Sequence, residues 1–168
     1  MLGIRFKRAH PGRDREERRE TATGIAWVTS DIAVAGAPGT GDWRRIAAAG
    51  VRSVVEVRSE AADDATALAA AGLPHRRFAI DEGSAPAPAE LAQIAGWIAD
   101  RIGAGPVLVH CREGRGRSVL AACAALILLG HAPAAAYDLV RKARPAAALS
   151  ERQIDALTRY AAAIRAEE

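Results

Sequence analysis

Cys111 and Arg117 stand six positions apart in the stretch His110-Cys111-Arg112-Glu113-Gly114-Arg115-Gly116-Arg117-Ser118. Three arginines and two glycines crowd one thiol, which is a composition suited to an oxyanion. A cysteine beside such cations has its pKa lowered from about 8.5 to roughly 3.5–7.5. The resulting thiolate is a competent nucleophile toward phosphorus. The planar fork of Arg117 can hold two oxygens of a phosphoryl group, which a lysine cannot do. Gly114 and Gly116 permit positive φ and carry no side chain, so the N–H groups of Arg112, Glu113, Gly114, Arg115, Gly116 and Arg117 can turn inward as an anion nest. Ser118 is placed to hydrogen-bond the sulfur. His110 reads as a loop-orienting residue whose side chain points away from the anion. The Glu113 carboxylate is out of place in such a loop and is expected to pair with an arginine or a backbone N–H.

The flanking sequence says how this stretch is held. Pro106-Val107-Leu108-Val109 reads as a short buried strand, and Ser118 to Leu129 as a helix. The loop therefore lies between a strand and a helix N-terminus. N–H groups there lack intrahelical partners, and the helix dipole adds about half a positive charge. Phosphate is the natural occupant of such a position.

Earlier segments predict the rest of the scaffold. Gly24 to Val28 and Ile32 to Ala35 are strand candidates joined at hairpin length. Asp42 to Ala49 reads as a helix closed by Gly50. Val51 to Val57 is β-branched and reads as a strand. Ser59 is expected to cap a helix carrying Glu60, Asp63 and Asp64 in its first turn and ending at Gly72, with those acids as helix-terminus charges. Pro74 to Ile80 is a weaker strand, and 81–86 is a loop. A helix from Pro88 to Ile102 follows, with Leu91, Ile94, Ile98 and Ile102 on one face. Pro133 starts a helix that Pro145 stops. Ser150-Glu151-Arg152-Gln153 is a capping box opening a last helix with Ile154, Leu157, Ala161 and Ile164 buried. Strands alternating with helices predict a single α/β domain: a mostly parallel sheet of about five strands, flanked by helices.

Composition narrows the class. The chain has 168 residues, of which 50% are hydrophobic and 26% charged, a globular profile for one domain. Residues 1–23 hold seven basic and four acidic residues, whereas the remainder holds 16 of each. The tail is thus a basic, flexible extension, and 24–168 is the neutral domain. A neutral domain argues against nucleic acid as partner. The tail would suit weak contact with an anionic membrane. The apolar run Val119 to Leu129 is too short to span a bilayer. Two cysteines, Cys111 and Cys123, build no disulfide framework, which points to a reducing, cytoplasmic setting. Cys123, inside an apolar helix, is expected to be core. Basic residues other than Lys7 and Lys142 are arginines, a bias resembling GC-rich bacterial coding.

The sequence His-Cys-x-x-Gly-x-x-Arg-Ser at His110 to Ser118 resembles the active-site loop of the cysteine-dependent protein tyrosine phosphatases, most closely the dual-specificity branch. Ile32 to Pro38 and Ala48 to Val55 are similar to the opening of compact bacterial members. Val140-Arg141-Lys142-Ala143-Arg144-Pro145 is similar to the helix after the nucleophile helix, so the resemblance covers about residues 24–165. It implies phosphomonoester hydrolysis through a phosphocysteine on Cys111, with Arg117 binding the phosphoryl group. It also implies an acid from an upstream loop, for which Asp81 fits and adjacent Glu82 is the alternative. It requires no metal or organic cofactor. The substrate it implies is a phosphorylated protein, through phosphotyrosine, phosphoserine and phosphothreonine. A phosphoinositide or other phospholipid is the alternative: Arg112 and Arg115 stand at loop positions that are both basic in lipid-phosphatase relatives, but Arg112 also occurs in protein-directed members, so Arg115 alone points that way. A rhodanese-like sulfurtransferase would place four residues between cysteine and arginine, where this chain has five, Arg112 to Gly116, and an inactive phosphate-binding module should have lost Cys111, Arg117 or the acid, none of which is missing.

Overall fold

The β-branched run before Cys111 becomes the middle of the molecule. In the computed structural model, which describes residues 24–167, β5 (Val107–His110) is the central strand and is buried throughout. The extension predicted over 1–23, with its membrane contact, lies outside the described residues. β2 (Ile32–Ala35) and β3 (Ser53–Glu56) pair with β5 on either side, both parallel to it. β4 (His75–Arg77) adds in parallel outside β3, and β1 (Ala26–Trp27) adds antiparallel outside β2. The sheet order is β1-β2-β5-β3-β4. The predicted hairpin is therefore the single antiparallel edge of an otherwise parallel five-stranded sheet. Thr29 shapes its turn, its Oγ1 accepting from the N–H groups of Asp31 and Ile32 at 3.1 Å each.

Period-two alternation assigns the faces. Val107 and Val109 look toward a layer built from α3 (Pro88–Ile102), α4 (Arg117–Leu128), α5 (Pro133–Ala143) and α6 (Glu151–Ala166). Leu108 looks the other way, toward α1 (Trp43–Ala48) and α2 (Ala65–Ala70). Parallel strands covered on both faces read as continuous apolar runs, as the sequences of β2 and β5 do. α4 is buried from Arg117 to Ile127, as a helix apolar on all sides must be. Its N-terminus stands at the carboxyl end of the central strand, where open α/β sheets bind ligands.

Three expectations are corrected here. α2 begins six residues beyond Ser59: Asp64 is its N-cap, accepting from Thr66 and Ala67 N–H at 2.9 and 3.0 Å. Glu60 and Asp63 therefore lie in a preceding loop and are not first-turn charges. On α6 the buried face is Gln153, Ala156, Leu157, Tyr160 and Ala161, while Ile154 is exposed and Ile164 half-buried. The capping box itself forms, with Ser150 Oγ accepting from Gln153 N–H at 3.2 Å and Gln153 Oε1 from Ser150 N–H at 3.0 Å.

The reassigned cap has a direct check. Asp64→Ala should lower the unfolding free energy measured in urea by about 0.5–2 kcal/mol. Ser59→Ala should leave it within about 0.5 kcal/mol of the parent.

Candidate active site

The carboxyl ends of three strands converge where the loop begins, since His110 is in register with Ala35 on one side and Glu56 on the other. Cys111 follows and lies at the floor of a cleft, 3% exposed. Its Sγ is 3.2 Å from Ser118 Oγ and accepts the Gly114 N–H at 3.2 Å. Burial alone would raise the thiol pKa. Hydrogen bonds from the Ser118 hydroxyl, the Ser118 N–H and the Gly114 N–H, with the Arg117 charge behind them, outweigh it and hold the thiol below its ordinary value.

The loop carbonyls face away from the sulfur. The oxygen of Arg112 accepts from Ala37 N–H at 2.9 Å, that of Arg115 from Ala148 N–H at 2.8 Å, and that of Gly116 from Leu120 N–H at 2.8 Å. The two between, on Glu113 and Gly114, accept from Arg144 at 3.0 and 2.6 Å. Gly114 is required here: its φ is +67°, and a Cβ would come within 2.6 Å of the Ala35 backbone. Gly116 does not use the freedom it has. Its φ is −122°, and a Cβ there would meet nothing nearer than 3.8 Å.

Arg117 opens α4 and is 4% exposed. Its Nη1 and Nη2 each donate to the Glu60 carboxylate at 2.6 Å, and Nη1 donates again to the Ile80 carbonyl at 3.0 Å. The Arg117 guanidinium pulls the Glu60 carboxyl down to about 2, and Glu60 in turn raises Arg117. A guanidinium has five N–H donors. With three engaged, the Nε–H and one Nη2–H remain as a parallel side-on fork. Glu60 is the site residue that sequence reasoning missed, because its partner is 57 positions away and no local spacing marks the pair.

His110 is fully buried and points away from the cleft. Its Nε2 lies 2.6 Å from Asp63 Oδ2, its Nδ1 3.2 Å from the Cys111 carbonyl, and its ring 5.9 Å from that of Trp43. Arg58 donates to Glu56 at 2.7 Å and Asp63 at 3.1 Å, while Asp63 N–H donates to Glu56 at 2.7 Å. Donor atoms of Glu56, Asp63 and His110 lie within 4.8 Å of one another. The Arg58 guanidinium hydrogen-bonds both carboxylates of this set.

The other candidates divide. Arg112, Glu113 and Arg115 all line the cleft and are all exposed; Arg112 pairs with Glu113 at 3.4 Å, an exposed contact worth little energy. Arg115 lines the cleft, and its side chain joins no ion pair among the described residues. Asp81 is exposed and directly follows Ile80, whose carbonyl Arg117 binds, but it does not line the cleft. Glu82 and Gly83 do. Gln153 reaches the same loop, its Nε2 donating to the Ser84 carbonyl at 3.3 Å. Cys123 is buried in α4, where burial pushes its thiol up to about 12, so it remains a protonated core side chain. His75 and His131 are exposed; Trp43 is buried in packing.

The model of the family described as polymorphic toxin system, DSP-PTPase phosphatase (Tc-R-P) matches residues 31–132. No curated protein matches the chain in sequence. Tk-PTP in its active form superposes with a TM-score of 0.76 at 24% identity, covering 84% of this chain and 98% of that one. Human DUSP28 gives 0.75 at 24% identity, covering 86% and 99%. PTPMT1 in complex with PI(5)P gives 0.77 at 20% identity, covering 85% and 97%. At these identities the likeness carries the fold.

The thiol's surroundings set a pH expectation. Alkylation of Cys111 by iodoacetate should titrate with a midpoint below that of a free cysteine. Hydrogen bonds to sulfur favour the charged form, so Ser118→Ala should move that midpoint upward. An unchanged midpoint would show that the Ser118 hydroxyl does not support the thiolate.

Proposed function

The chain belongs to the DSP-PTPase phosphatase family of polymorphic toxin systems and is a cysteine-dependent phosphatase; on that premise we propose that Cys111, Arg117, Ser118 and an acid on the 81–86 loop divide the reaction between them. The observation that carries this reading is the buried Cys111 sulfur, ringed by Gly114 N–H and Ser118 Oγ, beside an arginine with a side-on fork still unspent.

The first step forms the Cys111 S–P bond as the ester P–O bond breaks. Arg117 and the inward N–H groups of residues 112–117 take the charge on the nonbridging oxygens. Asp81 gives its proton to the leaving oxygen. In the second step water attacks phosphorus, the S–P bond breaks, and Asp81 takes a proton back. The departing thiolate returns to the Ser118 hydroxyl, and inorganic phosphate leaves. Glu82 is a second reading for the acid, favoured by its place in the cleft wall.

The substrate proposed is a phosphoprotein, with phosphotyrosine, phosphoserine and phosphothreonine all admitted. A cleft of about 290 Å³ supports this, being at the small end of ligand sites and suited to one phosphorylated side chain. A phosphoinositide or other phospholipid is the second reading. Arg115 supports it, as a cleft cation whose charge no carboxylate takes up among the described residues, and PTPMT1 is a fold relative seen with PI(5)P. A thiolate nucleophile needs a reducing setting, which supports a cytoplasmic location, and the arginine bias supports a bacterial source.

A panel of aryl phosphate, phosphopeptides, phosphoinositides and thiosulfate tests the reading. Turnover of phosphate esters, block by vanadate and loss of turnover in Cys111→Ser are expected. Turnover of thiosulfate alone would overturn it. Lipid turnover far above peptide turnover would select the second substrate.

The acid is separable by leaving group. Asp81→Asn should lower kcat on alkyl phosphates by about 10²–10⁴, and much less on aryl phosphates, whose oxygen needs little protonation. If Glu82→Gln shows that pattern instead, the acid is Glu82.

A further inference from the structure

We propose that Arg144, 27 positions beyond Arg117 in sequence, is the positioning residue that holds the anion loop in its binding conformation by fixing the carbonyls of Glu113 and Gly114. The inference rests on the reading that this loop binds a phosphoryl group.

The peptide plane supplies the link. In a trans peptide, the C=O of one residue and the N–H of the next point in opposite directions. A carbonyl held outside the loop therefore aims the following N–H inside. Arg144 Nη2 donates to the Glu113 carbonyl at 3.0 Å. The N–H across that same peptide belongs to Gly114, and it is the one that donates to Cys111 Sγ at 3.2 Å. Arg144 Nε donates to the Gly114 carbonyl at 2.6 Å, which aims the Arg115 N–H inward. Backbone N–H groups of Ala37 and Ala148 hold the carbonyls of Arg112 and Arg115 on either side. Arg144 therefore secures the two middle peptides of a run whose outer ones are secured by main chain.

The chain delivers this side chain deliberately. Pro145 cannot continue α5 and disfavours helical geometry in the residue before it. Arg144 leaves the helix at φ −132°, ψ 89°. Its own N–H still donates to Val140 and its carbonyl accepts from Ala147, at 2.8 and 2.9 Å. The guanidinium is carried to the back of the loop, where Arg144 is 9% exposed. A third donor, Nη1, reaches the Gly24 carbonyl at 3.4 Å. Lysine has the charge but no rigid fork, so it could not hold two neighbouring carbonyls in one plane.

The test compares full-length wild type, Arg144→Met, Arg144→Lys and Val140→Ala, each checked for folding by circular dichroism. Readouts are kcat/KM on p-nitrophenyl phosphate, inhibition by orthovanadate, and the pH midpoint of iodoacetate alkylation. Arg144→Met should lose about 100-fold in kcat/KM, the scale of an ångström-sized misplacement. Vanadate should weaken in parallel, and the alkylation midpoint should rise as the Gly114 N–H drifts from sulfur. Arg144→Lys, which keeps the charge and is the milder change, should move all three in the same direction but less. Val140→Ala loosens α5 without touching the loop, so it should lower the melting temperature and leave midpoint and vanadate inhibition unchanged. A folded Arg144 variant with wild-type vanadate inhibition and midpoint would overturn the proposal. Wild type that neither hydrolyses phosphate esters nor responds to vanadate would instead overturn the reading beneath it.

Discussion

The physical constraint behind the site is that several peptide N–H dipoles converge on one point. Such a loop repels itself unless something negative sits at its centre and something outside binds the carbonyls turned away. The Cys111 sulfur meets the first need, and Ala37, Arg144, Ala148 and Leu120 meet the second. The two halves reinforce each other. A thiol as buried as Cys111 would ordinarily resist ionisation, yet its pKa lies below the usual value because the Ser118 hydroxyl, the N–H groups of Ser118 and Gly114, and the Arg117 charge outweigh that burial. The site is built for the charge it will receive, so little reorganisation is needed when that charge arrives.

This arrangement extends beyond the loop through the segment between β3 and α2. Glu60 from that segment grips Arg117, and Asp63 grips His110. Arg58 ties Asp63 to Glu56, which is in register with His110 on the neighbouring strand. A half-exposed carboxylate facing a buried guanidinium is weak evidence for stability. Its geometric effect is clearer. By occupying the end-on face of Arg117, Glu60 leaves the side-on face as the one edge with donors to spare. Gln153 makes a parallel link from α6 to the 81–86 loop through Ser84.

The fold was legible because its signals are local. Val107 to Val109 is β-branched and apolar on both faces, Pro133 and Pro145 bracket a helix, and Ser150 with Gln153 forms a cap. Those elements stand where they were expected. Cys111, Arg117 and Ser118 come together for the same reason, since a strand, a short turn and a helix leave them little freedom. What was not legible depends on partners far apart in sequence. Glu60 and Asp63 looked like helix-terminus charges because acids before a helix usually are, and only the late start of α2 at Asp64 frees them for Arg117 and His110. Arg144 sat in a stretch already marked as similar to known phosphatases, but nothing local could say that its fork reaches Glu113 and Gly114. Both loop glycines permit positive φ, but only long-range packing shows that the requirement falls on Gly114, which the Ala35 backbone presses from behind.

The distinction between chemistry and substrate follows from the same geometry. Five residues between Cys111 and Arg117 set the diameter of the ring, and family membership agrees with a ring sized for a tetrahedral oxyanion. The backbone does that work, so the chemistry is insensitive to most side chains of the loop. On the proposed function, substrate choice would rest with the exposed arginines of the cleft: Arg112, weakly paired with Glu113, and Arg115, which joins no ion pair among the described residues. The Arg112–Glu113 contact is exposed and 3.4 Å long, so it offsets the Arg112 charge only weakly. A further anionic group on such a substrate would meet Arg115 with no carboxylate to displace, while the peptides that Arg144 secures would be indifferent to it.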